Sequence, residues 1–302
     1  MMPDSKLAKS IDHGDFIITA EYLPHAKAGF SLNGEVLKSL KNFHAVNVAD
    51  NPYGIVMSSL AGSIALGQAG VEPIYQLVTR DRNRIALGSD VLGAASLGIK
   101  NVLCLSGYHQ TLTGCAESSN VYDIDSIQLT AAITKMNEEK ILPDETKIED
   151  DFGMLVGAVA NPNLRPLELN MIRVAKKIEA GARFIQTQAV FDVNLFAEWL
   201  EQANKEEITK KAAVLAGVLP LQDAQEGEIL RDTFTDYKIP DEIIDKIKKA
   251  GDKEAQCKEG LKISIEIISQ IRNMTGLRGI HILSGGNEAV LPELLSQSGL
   301  AQ

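Results

Sequence analysis

Eight short apolar, β-branched runs recur along this chain, and a helical pattern follows each. The runs are FIITAEY (16–22), HAVNVAD (44–50), EPIYQLV (72–78), NVLCLS (101–106), FGMLVGAVA (152–160), RFIQTQA (183–189), AAVLAGVLP (212–220) and GIHILSG (279–285). They are nearly continuous in apolar character, as expected of parallel strands buried on both faces. Amphipathic stretches lie between them. Residues 56–69 form one, and 166–180 another, with Pro166 in its first turn and Gly181 as its stop. Residues 241–273 read as two helices broken near Gly251, and 287–298 as a closing helix capped by Asn287.

Eight β-then-α units in 302 residues predict a closed (β/α)₈ barrel of the TIM type, a single domain over residues 1–302. An open doubly wound sheet is the runner-up. It would want GxGxxG after the first strand, where this chain has EYLPHAKAG. No interdomain linker is visible. The polar stretch 137–151 (NEEKILPDETKIEDD) reads as a solvated surface loop.

Charge and cysteine usage narrow the partners. Forty acidic residues against 30 basic ones give a net charge of −10, which disfavours nucleic acid and anionic membranes. Cys104, Cys115 and Cys257 contain no CxxC, so neither a disulfide framework nor a zinc site is signalled. The first residues lack an apolar signal core, and no run approaches about 18 apolar residues. A cytoplasmic protein without a membrane span is expected.

In such barrels the chemistry sits at the C-terminal ends of the strands. That rule selects Glu21, Asp50, Asn51, Gln76, Thr79 and the RDRNR segment (80–84), Ser106, Gly107, Tyr108, His109, Asn161, Gln186, Gln188, Pro220, Ser284 and Gly285. A half-desolvated carboxyl at Glu21 suits a general acid near neutral pH; the alternative is a salt bridge with Arg80 or Arg82. Gln186 and Gln188 share one strand face. An inward amide there suits a heterocyclic amide edge, or simply satisfies a barrel neighbour. The arginines of 80–84 open a helix, so they either bind an anion or pair locally with Asp81. Gly285–Gly286 is either a phosphate loop or a tight turn. No HxH, HExxH or Ser-His-Asp set is present, and no metal site is expected.

The pieces TAEYLP, VNVADNP, QLVTRDRNR, LGIKNVLCLSG, VYDIDSIQL, EAGARFIQTQAVFD, AGVLPL and GIHILSGGNE resemble the methylenetetrahydrofolate reductase family in its short bacterial and archaeal form. The resemblance runs from about Phe16 to Leu300, and its RDRN and YDIDS forms look like the variants of acetogens. It implies a flavin, FAD or FMN, across the strand ends. That flavin would be reloaded by NADH, NADPH or an iron–sulfur partner subunit and would reduce a tetrahydrofolate-bound one-carbon unit. It further implies Glu21 as the general acid toward folate N10 and Gln188 as the pterin reader, with Tyr108 also on the substrate side. For the flavin it implies Gln76, Ser106, Gly107, Tyr122, Asp123, Asn161, Arg165, Asn170 and Lys177, with Arg165 and Lys177 as phosphate contacts. Barrels of this family commonly form homo-oligomers.

The chain departs from the family at two places. The family usually reads Gly-Asp after strand 4, where this chain has Gly107–Tyr108, and His25 replaces a second proline after the first strand. Losing that carboxylate is expected to alter flavin potential and folate affinity. Two other readings therefore stand beside reduction. One is a pterin-binding methyl-transfer protein, although its zinc form would need clustered thiolates. The other is a partner-dependent subunit of a methyl-branch complex.

Overall fold

The eight apolar runs become eight parallel strands: β1 (Ile17–Tyr22), β2 (Ala45–Val48), β3 (Pro73–Val78), β4 (Asn101–Leu105), β5 (Leu155–Ala160), β6 (Phe184–Ala189), β7 (Ala213–Val218) and β8 (Leu277–Ile282). Each pairs with its sequence neighbours, and β1 pairs with β8 through Ile17–Gly279 and Ile18–Ile280, so the sheet closes into a barrel. The computed structural model describes residues 3–27, 30, 32–149 and 151–300. Among these, no helix is long and apolar enough to cross a membrane.

The interior is layered, because inward positions recur every second residue along each strand. Ile17, Ile74, Leu103, Leu155, Phe184 and Leu215 form the floor, and Leu7 and Ala8 of helix Lys6–His13 plug it from below. Burying each large apolar side chain contributes roughly 1.5–3 kcal/mol. Gly157 leaves room for the Phe184 ring: a Cβ there would lie 2.1 Å from Phe184 Cζ. Above the floor sits a polar layer. Asn47 and Gln186 exchange hydrogen bonds of 2.7 and 3.0 Å, Gln186 Nε2 donates to Thr19 Oγ1 at 3.2 Å, and Thr19 contacts His281 Nδ1 at 2.9 Å. The next inward positions, Glu21 on β1 and Gln188 on β6, stand at the rim.

The helices pack outside the strands, with Phe196 and Trp199 of helix Val193–Lys205 fully buried there. The helix expected over 166–180 spans Leu167–Glu179, with Pro166 at its cap and Gly181 at φ +112° just beyond. The stretch 241–273 holds helices Asp241–Lys249 and Lys253–Ile271, divided at Gly251. Asn287 sits at the cap position of a short turn without bonding it, and its amide instead approaches Cys257 Sγ at 3.8 Å.

The expected loop 137–151 is shorter than its polarity suggested. Helix Ser126–Glu139 runs into it, because Asn137 anchors the last turn to both backbone groups of Met154, at 2.8 and 2.9 Å. The remainder bends back through an Ile141–Lys147 bridge, and Asp150 lies outside the described residues.

Candidate active site

A cavity of about 390 Å³ opens at the C-terminal ends of the strands, within the range of roughly 300–1,000 Å³ usual for ligand sites. Of the residues singled out from sequence, it gathers Glu21, Asp50, Gln76, Arg80, Ser106, Gly107, Tyr108, Asn161, Asn170, Lys177, Gln186, Gln188 and Gly285.

Glu21 is an acid without a cation. Arg80 is spent on Asp81 at 2.7 and 2.8 Å and on the carbonyl oxygens of Asn51 and Tyr108. Arg82 is spent on the fully buried Asp50 at 2.7 Å and on Asp90 at 3.0 Å. Arg84 pairs with Asp123 at 2.8 Å. The basic segment therefore pairs with carboxylates of its own surroundings, and among the described residues no salt bridge reaches Glu21. Burial pushes the Glu21 carboxyl up to about 7, the charge of Glu288 adds to this, and a hydrogen bond with Gln76 opposes it. Such a group carries its proton in the range where a general acid works best.

Gln186 proves to be a barrel-layer amide, held on both ends by Asn47 and Thr19. Gln188, one layer higher, faces the cavity. Its Nε2 donates to Asp236 Oδ2 at 2.9 Å, and the Tyr108 hydroxyl donates to the same oxygen at 2.8 Å. The tyrosine that follows Gly107 thus holds a carboxylate from elsewhere in the chain. Burial pushes the Asp236 carboxyl upward, opposed by the Tyr108 hydrogen bond. Gly107 itself is at φ +83°, and a Cβ there would lie 2.5 Å from Val78 Cγ1, so this turn requires glycine.

The cavity lining beside β5 also carries cations. Lys177 and Arg173 stand four residues apart on helix Leu167–Glu179 and therefore share a face. The Lys177 ammonium donates to the Val159 carbonyl at 2.6 Å. Among the described residues, neither cation forms an ion pair with a carboxylate. Burial, with Arg173 nearby, pushes Lys177 down to about 8. Ser106 bonds Ser126 at 3.1 Å beside them, and Asn170 donates to the Asn161 carbonyl at 2.6 Å.

Three expected cofactor residues lie away from the cavity. Arg165 turns outward to Glu198 at 2.7 Å, because it precedes the helix and cannot share the inner face of Arg173 and Lys177. Asp123 caps the start of helix Arg84–Ser96, accepting from the Arg84 N–H at 2.9 Å, and its Arg84 partner holds its carboxyl down at about 2. Tyr122 is exposed at the rim, with its hydroxyl 3.3 Å from the Gly107 carbonyl oxygen. Gly285 and Gly286 form a tight turn at φ +58° and +82°, with Glu226 and Gln222 packed against it, an acidic setting unsuited to phosphate.

Sequence reasoning missed Asp236, Arg173 and the aromatic cluster over the mouth, in which Phe234 packs on Tyr108 at 4.5 Å and on Tyr53 at 5.6 Å. Phe234 and Asp236 hang from a connector between helices, where the strand-end rule does not point. Arg173 was visible as a cation four residues before Lys177.

A closed eight-stranded ring, with an acid at its mouth that no salt bridge reaches among the described residues, marks this chain as a (β/α)₈ barrel. The family model described as methylenetetrahydrofolate reductase matches residues 6–299, and the chain belongs to that family. It is 20% identical over 244 residues to "Probable methylenetetrahydrofolate reductase (NADPH)" of Caenorhabditis elegans, covering 80% of this chain and 34% of the relative. It is 22% identical over 213 residues to "Methylenetetrahydrofolate reductase 1" of Schizosaccharomyces pombe, covering 68% of this chain and 32% of the relative. The matches thus span about one third of the length of these curated relatives. A Clostridium thermocellum protein, described as binding two copies of 5-methyl-5,6,7,8-tetrahydrofolic acid, superposes over 98% of both chains with a TM-score of 0.66 at 14% identity, which shows a shared fold.

Proposed function

We propose that this barrel reduces the methylene group of 5,10-methylenetetrahydrofolate to the methyl group of 5-methyltetrahydrofolate, with a flavin held in the rim cavity. The observation that carries the reading is Glu21, whose carboxyl is protonated up to about 7 and stands on the same rim as Gln188. Opening the five-membered ring of the substrate needs a proton on N10. Glu21 supplies it, and cleavage of the N10–methylene bond leaves an N5 iminium ready to accept hydride. Gln188 orients the pterin. Tyr53, Phe234 and Tyr237 cover the mouth and limit water around the acid.

The residues present suit a flavin. Among the described residues Lys177 and Arg173 form no ion pair with a carboxylate, and the burial of Lys177 is offset by one carbonyl and the more distant charge of Asp125. A phosphate between them repairs both defects. Gln76, Ser106 and Asn170 would complete the cradle. A reduced flavin, when bound, supplies the hydride. NADH, NADPH or an iron–sulfur partner subunit would reload it.

The test is product formation. Flavin-loaded protein, reduced with dithionite and mixed anaerobically with methylenetetrahydrofolate, yields 5-methyltetrahydrofolate by chromatography and mass analysis. Unchanged substrate after repeated additions would rule the reading out.

A further inference from the structure

Asp236 is buried at the cavity wall with no lysine, arginine or histidine paired to it among the described residues. It is also firmly placed. Its carbonyl oxygen accepts from Asn163 at 3.0 Å and from Asn161 at 3.4 Å, beyond the end of β5. Its Oδ2 accepts from Tyr108 beyond β4 and from Gln188 on β6. Phe234, two residues earlier, and Tyr237, the next residue, are both buried. Three strand ends and an aromatic anchor thus hold one carboxylate in position without neutralising it. A desolvated charge arranged in this way costs stability unless a ligand supplies donors.

The donor pattern it requires can be worked out. An ionised carboxylate only accepts, so the Gln188 amide must turn its NH₂ toward Asp236. Gln188 Oε1 is then left as a second acceptor beside the carboxylate. The wall therefore presents acceptors and calls for a ligand edge with two adjacent N–H donors. The 2-amino-4-oxo edge of a pterin has them, in its 2-amino group and N3–H. The pyrimidine edge of a flavin does not, because its single N3–H lies between two carbonyls.

Resting on the folate reading above, we propose that Asp236 is a specificity-determining residue that reads the 2-amino and N3–H edge of the pterin and excludes 2-oxo heterocycles from this side of the cavity. Tyr108 positions it. The carboxylate arrives from the connector 234–240 rather than from the turn after β4.

The experiment measures dissociation constants of the full-length protein for 5-methyltetrahydrofolate and for its analogue with oxygen in place of the 2-amino group. Wild-type protein binds the amino compound about 10- to 100-fold more tightly, since the analogue sets a carbonyl against an acceptor. Asp236→Asn loses most of that ratio, because its amide can donate to the 2-oxo group. Its affinity for FMN stays within about twofold of wild type, a control that general damage to the fold would not pass. Equal affinity of wild-type protein for the two compounds, or a ratio unchanged in Asp236→Asn, overturns the proposal and leaves the folate reading standing. Failure of wild-type protein to bind 5-methyltetrahydrofolate at all overturns both.

Discussion

Glu21→Gln is expected to stabilise the protein and abolish its chemistry, and both effects follow from one buried proton. An unfolded glutamate releases its proton near 4.5, whereas folded Glu21 keeps it to about 7. Between those values the folded chain binds more protons than the unfolded chain. Stability therefore falls as pH rises through this window, and the loss is complete above about 7. The interval, at roughly 1.4 kcal/mol per tenfold change in proton activity, corresponds to about 3 kcal/mol. Glutamine has the shape of the protonated acid and never ionises. At pH 8 the variant should gain about 3 kcal/mol, or roughly 5 °C in Tm for a chain of this size; toward pH 4.5 the two proteins should converge. In stopped-flow, the wild-type folate half-reaction should slow about tenfold between pH 6 and pH 8, as the protonated fraction falls from about 90% to about 10%. Glu21→Gln should lose about 10²–10⁴-fold in that step and still accept electrons from the donor. A variant no more stable than wild type at pH 8, or one retaining a tenth of the rate, would refute the assignment of a neutral buried acid.

Three further substitutions probe other parts of the barrel. Lys177→Met removes an unpaired cation from the cavity and should weaken FMN binding about 10- to 100-fold in a fluorescence titration. Arg165→Ala, in contrast, breaks an exposed pair with Glu198 and should leave that titration within about twofold. Gln186→Leu strands the Asn47 amide in the barrel interior, while Thr19 keeps its His281 partner, and should cost about 1–3 kcal/mol in urea unfolding.

The barrel was legible because parallel strands covered on both faces leave a residue pattern that few other structures share. FGMLVGAVA and AAVLAGVLP could hardly be anything else, and each contains one strand, Leu155–Ala160 and Ala213–Val218. Strand ends then pointed to Glu21, Gln76 and Gln188, since a closed ring converges its rim on one cavity. Direction along a helix was harder to read. Arg165 and Lys177 looked like equivalent phosphate contacts, but only Lys177 shares the inner face with Arg173. The choice between an anion site and local pairing at RDRNR turned on Asp50, Asp81, Asp90 and Asp123, two of which come from other segments. Asp236 left no signal, because TFTDYKIP reads as a plain connector and its value lies in contacts 48 and 128 residues away.

The proposed reaction needs one cavity to hold a flavin next to a folate whose N10 faces Glu21. An anaerobic titration of the flavin-loaded, oxidised protein with 5-methyltetrahydrofolate tests this in the reverse direction. The predicted result is bleaching of the flavin band near ~450 nm, with 5,10-methylenetetrahydrofolate appearing in proportion. A protein that binds both molecules and stays yellow would contradict it.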